Sequence, residues 1–197
     1  GFPAAKIEIT GQIQYDRFLQ PLPLERDAFL RSINLDPHKK TILFAGGVNI
    51  NHYFDLYRLF VEQKERVWRE PFNFVVRPYP HAKLLGSPSW QVLEKLLIAS
   101  GAYISNPGSI DASGDRTEEF RQDLAFDEGP DELSFLLRYS DVMVNYFSTI
   151  SLEAAICDLP VIHAGYDTYT FGQRFFVTTG FLQRQTHNLR KLRLAAS

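Results

Sequence analysis

Apolar residues recur along this chain in two alternating rhythms. Short unbroken runs, "TILFAGG" (41–47) and "NFVVRPY" (73–79), have the length and β-branched content of strands buried on both faces. Between them Tyr53, Phe54, Leu56, Tyr57, Leu59, Phe60, Val61, Val67 and Trp68 return at helical spacing, with charges in the other positions. "SWQVLEKLLIAS" (89–100) predicts a second amphipathic helix with Ser89 as its N-cap, and "AYIS" (102–105) a third strand. The polar stretch 106–129 reads as a long loop with one helical turn at 116–121. Pro130 suits the first turn of the helix "PDELSFLLRYS", with Asp131 and Glu132 at the positive end of its dipole. "DVMVNY" then reads as a central strand, "STISLEAAICD" as a helix and "PVIHAG" as the last clear strand. Strand and helix alternating in this way predict a Rossmann-like parallel sheet of about five or six strands with helices on both faces.

Composition adds bounds. A chain of 197 residues with 45% hydrophobic and 22% charged residues suits one soluble α/β domain spanning 1–197. A net charge of −2 exerts no global pull toward nucleic acid, which is not an expected partner. The single cysteine, Cys157, reads as a packing residue in a reducing, cytoplasmic setting, and no Cys/His cluster has metal-ligand spacing. No apolar run reaches the roughly 20 residues of a membrane span. "GFPAAKIEITG" opens with a strand-like alternation at Ile7 and Ile9 and reads as the tail of something longer. Residues 168–197 form an irregular aromatic segment followed by a basic helix pattern, in which Arg184, Arg190, Lys191 and Arg193 make a solvated positive face that leaves peripheral membrane contact open.

The chemistry concentrates where "DVMVNY" gives way to "STISLEAAICD". In an open parallel sheet ligands lie beyond the carboxyl ends of the strands, and Ser148 and Thr149 fall there. Their hydroxyls and the nearby backbone N–H groups suit an anion such as phosphate, and Glu153, one turn deeper, is placed for a vicinal diol such as ribose. The same pattern also fits a plain helix start, with Ser148 capping and Glu153 supporting the dipole or a neighbouring arginine. On residue pattern alone both readings stand.

At "SDVMVNYFSTISLEAAICDLPVI" the chain resembles the C-terminal nucleotide-binding domain of two-Rossmann-domain (GT-B) glycosyltransferases, especially bacterial surface-polysaccharide and CDP-glycerol glycerophosphotransferase-like members. "TGQIQYDRF", "KKTILFAGG" and "VVRPYP" match further segments in the expected order, from about Ile9 to about Asp167. The resemblance implies that the chain is one half of a GT-B fold, acting on a nucleoside-diphosphate-activated donor beside an N-terminal Rossmann domain absent from these residues. It implies further that Gly46 and Gly47 let the backbone approach the diphosphate, that Arg77 faces the phosphates, that Ser148 and Thr149 bind them and that Glu153 holds the ribose. Asp167 falls where a polar residue faces the donor sugar. The family's Arg-Pro-His-Pro reads Arg-Pro-Tyr-Pro here, so Tyr79 replaces an imidazole for which His81 is the candidate substitute. The base would be read by the backbone of 124–129, and neither a metal nor another cofactor is implied. UDP-N-acetylglucosamine 2-epimerases share the domain plan, and a non-catalytic nucleotide-binding or interaction module would keep the fold. His163 reads as a core residue or as one packed just behind the site. If the partner domain is missing, Tyr79, Tyr146, Phe147 and Phe171 are expected to expose aromatic surface at the carboxyl edge.

Overall fold

A computed structural model of the chain describes residues 13–62, 70–106, 131–146 and 148–164. Strands β1 (Lys40–Ala45), β2 (Phe72–Arg77), β3 (Tyr103–Ile104), β4 (Val142–Asn145) and β5 (Val161–His163) form a five-stranded sheet in the order β3-β2-β1-β4-β5. Every neighbouring pair is parallel, and Leu43 of β1 stands opposite both Val75 of β2 and Met143 of β4. The expected parallel α/β architecture is therefore present.

Alternation along the strands sends successive side chains to opposite faces, and helices cover both. On one face Leu43, Val75, Met143 and Val161 pack against Phe29 and Leu30 of α1 (Arg26–Ser32), Leu136 and Leu137 of α5 (Glu132–Tyr139) and Ala154 of α6 (Ile150–Ile156). On the other, Ile42, Phe44, Phe74, Val76 and Val144 meet Tyr53 and Leu56 of α2 (Ile50–Tyr57), Leu84 of α3 (Ala82–Leu85) and Trp90, Leu93 and Leu97 of α4 (Pro88–Ala99). Burial on both faces explains why the strands read as continuous apolar runs rather than as alternating ones.

Helix ends follow local chemistry, with two shifts from the expected boundaries. The cap of α4 is Ser87, not Ser89: its hydroxyl accepts from the Trp90 amide at 3.1 Å and Pro88 takes the first helical position. Asp131 caps α5, which starts at Glu132, and Pro130 lies outside the described residues. Three helices stop alike, with Asn34, Gly101 and Asp158 at positive φ after α1, α4 and α6. In each case the next amide, of Leu35, Ala102 or Leu159, bonds back to the carbonyl of Leu30, Leu97 or Ala154 at 2.8–3.0 Å. This is the Schellman arrangement, and it turns the chain toward the following strand with a buried residue in the lead. Beyond α2 the helix continues as a single π turn, Arg58–Glu62.

The strand expected at Ile7 and Ile9, the turn at 116–121 and the basic helix within 168–197 lie outside the described residues. Among the described residues no helix is long and apolar enough to cross a membrane.

Candidate functional site

The connections leaving β1 and β4 pass to opposite faces of the sheet, α2 to one and α6 to the other. Such a divergence opens a crevice beyond the carboxyl ends of the strands. A cavity of about 200 Å³ lies there, and it gathers Gly46, Arg77, Ser148, Thr149 and Glu153 with Arg17, Tyr79 and Asp131. A larger cavity of about 500 Å³ sits at the opposite, amino-terminal edge among Leu35, Asp36, Phe60, Phe72 and Asn73. There Asn73 bonds both Asp36 main-chain groups and the Thr41 hydroxyl, while Asp36 faces Lys39 at 3.4 Å. Those bonds tie the start of β2 to the approach to β1, which makes the larger cavity a seam between strand starts, and the smaller cleft at the carboxyl ends is the candidate site.

Two arginines frame the cleft, each held by one of the consecutive acids that open α5. Arg17 stands on a 3-10 turn, Ile13–Leu19, secured by the Arg138 guanidinium donating to the Phe18 carbonyl through Nε at 3.1 Å and also through Nη2. Its Nη1 lies 3.0 Å from Asp131 Oδ2, while Asp131 Oδ1 accepts from the amide and hydroxyl of Ser134. One aspartate thus caps a helix and pairs with a guanidinium. Arg77 is only 8% exposed although it ends a strand. Its Nη1 donates to Ser105 Oγ at 2.7 Å and lies 3.5 Å from Glu132 Oε2. Glu132 also accepts from the hydroxyls of Tyr103 and Ser105, each at 2.5 Å. Burial, reinforced by that carboxylate, pushes the Tyr103 phenol well above its ordinary range, so it acts there as a donor.

Glu153 is the exception among these acids. Its carboxylate makes no hydrogen bond or ion pair among the described residues, although it lines the cleft together with both arginines. Burial raises its pKa, opposed by Arg17 and Arg77 and aided by Asp131. Ser148 and Thr149 do not behave as simple caps: Thr149 occupies the cap position of α6 in helical conformation and its side chain caps nothing. Deeper down, buried Asn145 donates to the buried Ser151 hydroxyl at 2.6 Å, pinning the end of β4 to the first turn of α6 and so placing Glu153.

Gly46 lines the cleft, and its small size is demanded from within: a Cβ there would come 2.2 Å from the Tyr53 ring. Gly47 has open space around it and stands beside the cleft rather than in its lining. Tyr79 is 41% exposed, as expected of an uncovered edge, whereas Tyr146 is half-buried and stacks on His52 with ring centroids 3.9 Å apart. His81 borders the cleft without lining it. Asp167, Phe147, Phe171 and the stretch 124–129 lie outside the described residues. Sequence reading missed Arg17 as a site residue and took Asp131 and Glu132 for dipole residues only. Their spacing along the chain carries no sign of the arginines they meet.

His163, half-buried on β5, suits the core reading. Burial lowers its pKa from 6.5 to about 4. The unfolded chain therefore binds the extra proton first, and the stability present above pH 6.5 is lost as pH falls toward 4. His163→Leu is expected to lack this loss, which at pH 4 amounts to on the order of 2 kcal/mol after discounting for the ring's partial exposure. Urea unfolding of both proteins at pH 4 and pH 7 reads the difference, and equal losses on acidification would show that the ring is not the titrating group.

Cys157 is half-buried against the core, as a packing residue would be, and burial raises its thiol pKa. Among the described residues no group of three or more His, Cys, Asp or Glu could hold a metal ion. No protein-family model matches the chain, and no curated protein matches its sequence.

Proposed function

We propose that the cleft binds a nucleoside-diphosphate-activated donor and that the chain is the donor-binding domain of a sugar or glycerophosphate transferase of the GT-B kind. The observation that carries this reading is Glu153: a carboxylate with no partner among the described residues, half-buried in a cleft at the carboxyl edge of a parallel sheet, beside two guanidiniums and two hydroxyls. A half-buried carboxylate without a protein donor is an available acceptor, and a vicinal diol supplies two donors. Ser148, Thr149 and Arg77 would hold the diphosphate, where fixed donors help most as negative charge develops on the leaving phosphate. The reading includes a cytoplasmic protein whose N-terminal Rossmann domain closes the cleft from the other side and brings the acceptor. An epimerase would use the same donor site.

A second reading, a non-catalytic nucleotide-binding module, draws on Tyr79 standing where the family carries histidine and on both arginines already facing acids. Calorimetric titration of UDP, CDP and GDP into the chain tests what the two readings share. Micromolar to millimolar binding of one of them is expected, and heats indistinguishable from dilution for all three would overturn both. Transfer from a bound donor by the chain joined to an N-terminal domain separates the first reading from the second.

A further inference from the structure

We propose that Tyr53 is a positioning residue for this cleft, acting through a hydroxyl that joins two of its turns into one wall. The inference rests on the cleft being a diphosphate site. β1 and β2 run in register to their last pair, Ala45 opposite Arg77, and the ladder takes one more step as the Gly46 amide donates to the Arg77 carbonyl at 3.3 Å. There it stops: Pro78 has no N–H, and the strands part to make the crevice.

The hydroxyl of Tyr53 occupies the parting. It donates to the Gly47 carbonyl at 2.9 Å and accepts from the Tyr79 amide at 3.0 Å, so it stands in for the rung that the diverging strands cannot make. The ring cannot drift from that place. It is 1% exposed, lies against the Cα of Gly46, and meets Phe44 and Trp90 edge-on with centroids 5.2 Å away in both cases. Gly46 and Tyr79 both line the cleft, as does Arg77, which stands opposite Ala45 in the sheet. The Tyr53 hydroxyl therefore fixes the separation of the two turns that form this wall of the diphosphate cleft, and a ligand that moves one turn must move the other.

Tyr53→Phe removes the hydroxyl and keeps the ring. The proteins are titrated with UDP, CDP and GDP by calorimetry, and with the matching nucleosides by following ¹⁵N–¹H shifts, with thermal melts alongside. The variant is expected to melt lower and to bind the preferred diphosphate about three- to tenfold more weakly, the size of one or two neutral hydrogen bonds. Nucleoside affinity should be unchanged, because Glu153 lies on the other wall. In wild type the Tyr79 and Gly47 amide resonances should shift together on adding diphosphate, and in the variant the Tyr79 resonance should no longer follow. A lower melting point with unchanged diphosphate affinity, or equal weakening of diphosphate and nucleoside, overturns the positioning role while leaving the diphosphate site intact. Wild type that binds no diphosphate overturns both. Should the variant not fold, wild-type spectra decide: Tyr79 and Gly47 amides unmoved by saturating diphosphate defeat the proposal.

Discussion

Glu153→Gln is expected to melt at a higher temperature than wild type at neutral pH and to bind a nucleoside diphosphate roughly tenfold more weakly. The two effects have one cause. Burial raises the carboxylate's pKa, which means that the folded chain holds a proton the unfolded chain would release. The stability tied to that proton is present below the unfolded value near 4.5 and is lost as pH rises through the raised folded value. Glutamine does not ionise, so the gap in melting temperature should be near zero at pH 4 and widen toward pH 7. A ligand offering two hydroxyls would use the same ionised acceptor, and hydrogen bonds to a charged group contribute about 1.5–3 kcal/mol. Glu153→Ala, which leaves no acceptor, should accordingly weaken binding on the order of ten- to hundredfold. Melts at pH 4, 5.5 and 7, paired with calorimetric titration of UDP, CDP and GDP, check both halves. A carboxylate that merely supported the dipole of α6 would give the opposite pair of results: a lower melting temperature in the variant and unchanged affinity.

Glu132→Ala should be the most damaging single change to the cleft. The glutamate accepts from Tyr103 and Ser105 and faces Arg77, so its removal leaves a buried guanidinium and two hydroxyls without their common acceptor. Breaking one side of a buried ion pair costs about 3–5 kcal/mol. The Glu132 side chain is 28% exposed, so water recovers part of that and about 2–3 kcal/mol is expected. For a chain of this size the loss corresponds to a melting temperature lower by roughly 5–10 °C. Urea unfolding of wild type, Glu132→Ala and Arg77→Met separates the causes. If the damage comes from the guanidinium losing this carboxylate, Arg77→Met in the Glu132→Ala background should recover part of the stability. No recovery would place the damage in the start of α5 instead.

The fold was legible because its signal is local and repeated. Strands buried on both faces must be apolar at nearly every position, as in "TILFA" and "FVV", and the helices between them must carry one apolar stripe. The ends of α4, α5 and α6 were legible to within about two residues, whereas α1 and the short helix α3 carried too few apolar repeats to read. Ser87 was passed over in favour of Ser89 because either serine could cap, and only the backbone conformation ahead of Pro88 selects between them.

The sequence by itself determined that strands and helices alternate, that their apolar positions call for a parallel layered fold, and that small, hydroxyl and acidic residues gather after the strand at 142–145. Each follows from periodicity or from neighbours within one turn. Only the tertiary structure decided that Arg17, 114 positions before Asp131, meets it at the cleft, that Arg77 is buried against Ser105 and Glu132, and that Glu153 is, among the described residues lining the cleft, the acid without such a partner. It also decided that Gly46 is small for the sake of the Tyr53 ring. Pairings of this kind depend on which helix covers which face of the sheet and where strands diverge. A carboxylate looks the same in sequence whether its partner is a guanidinium, a helix end or a ligand, and burial and distance distinguish them.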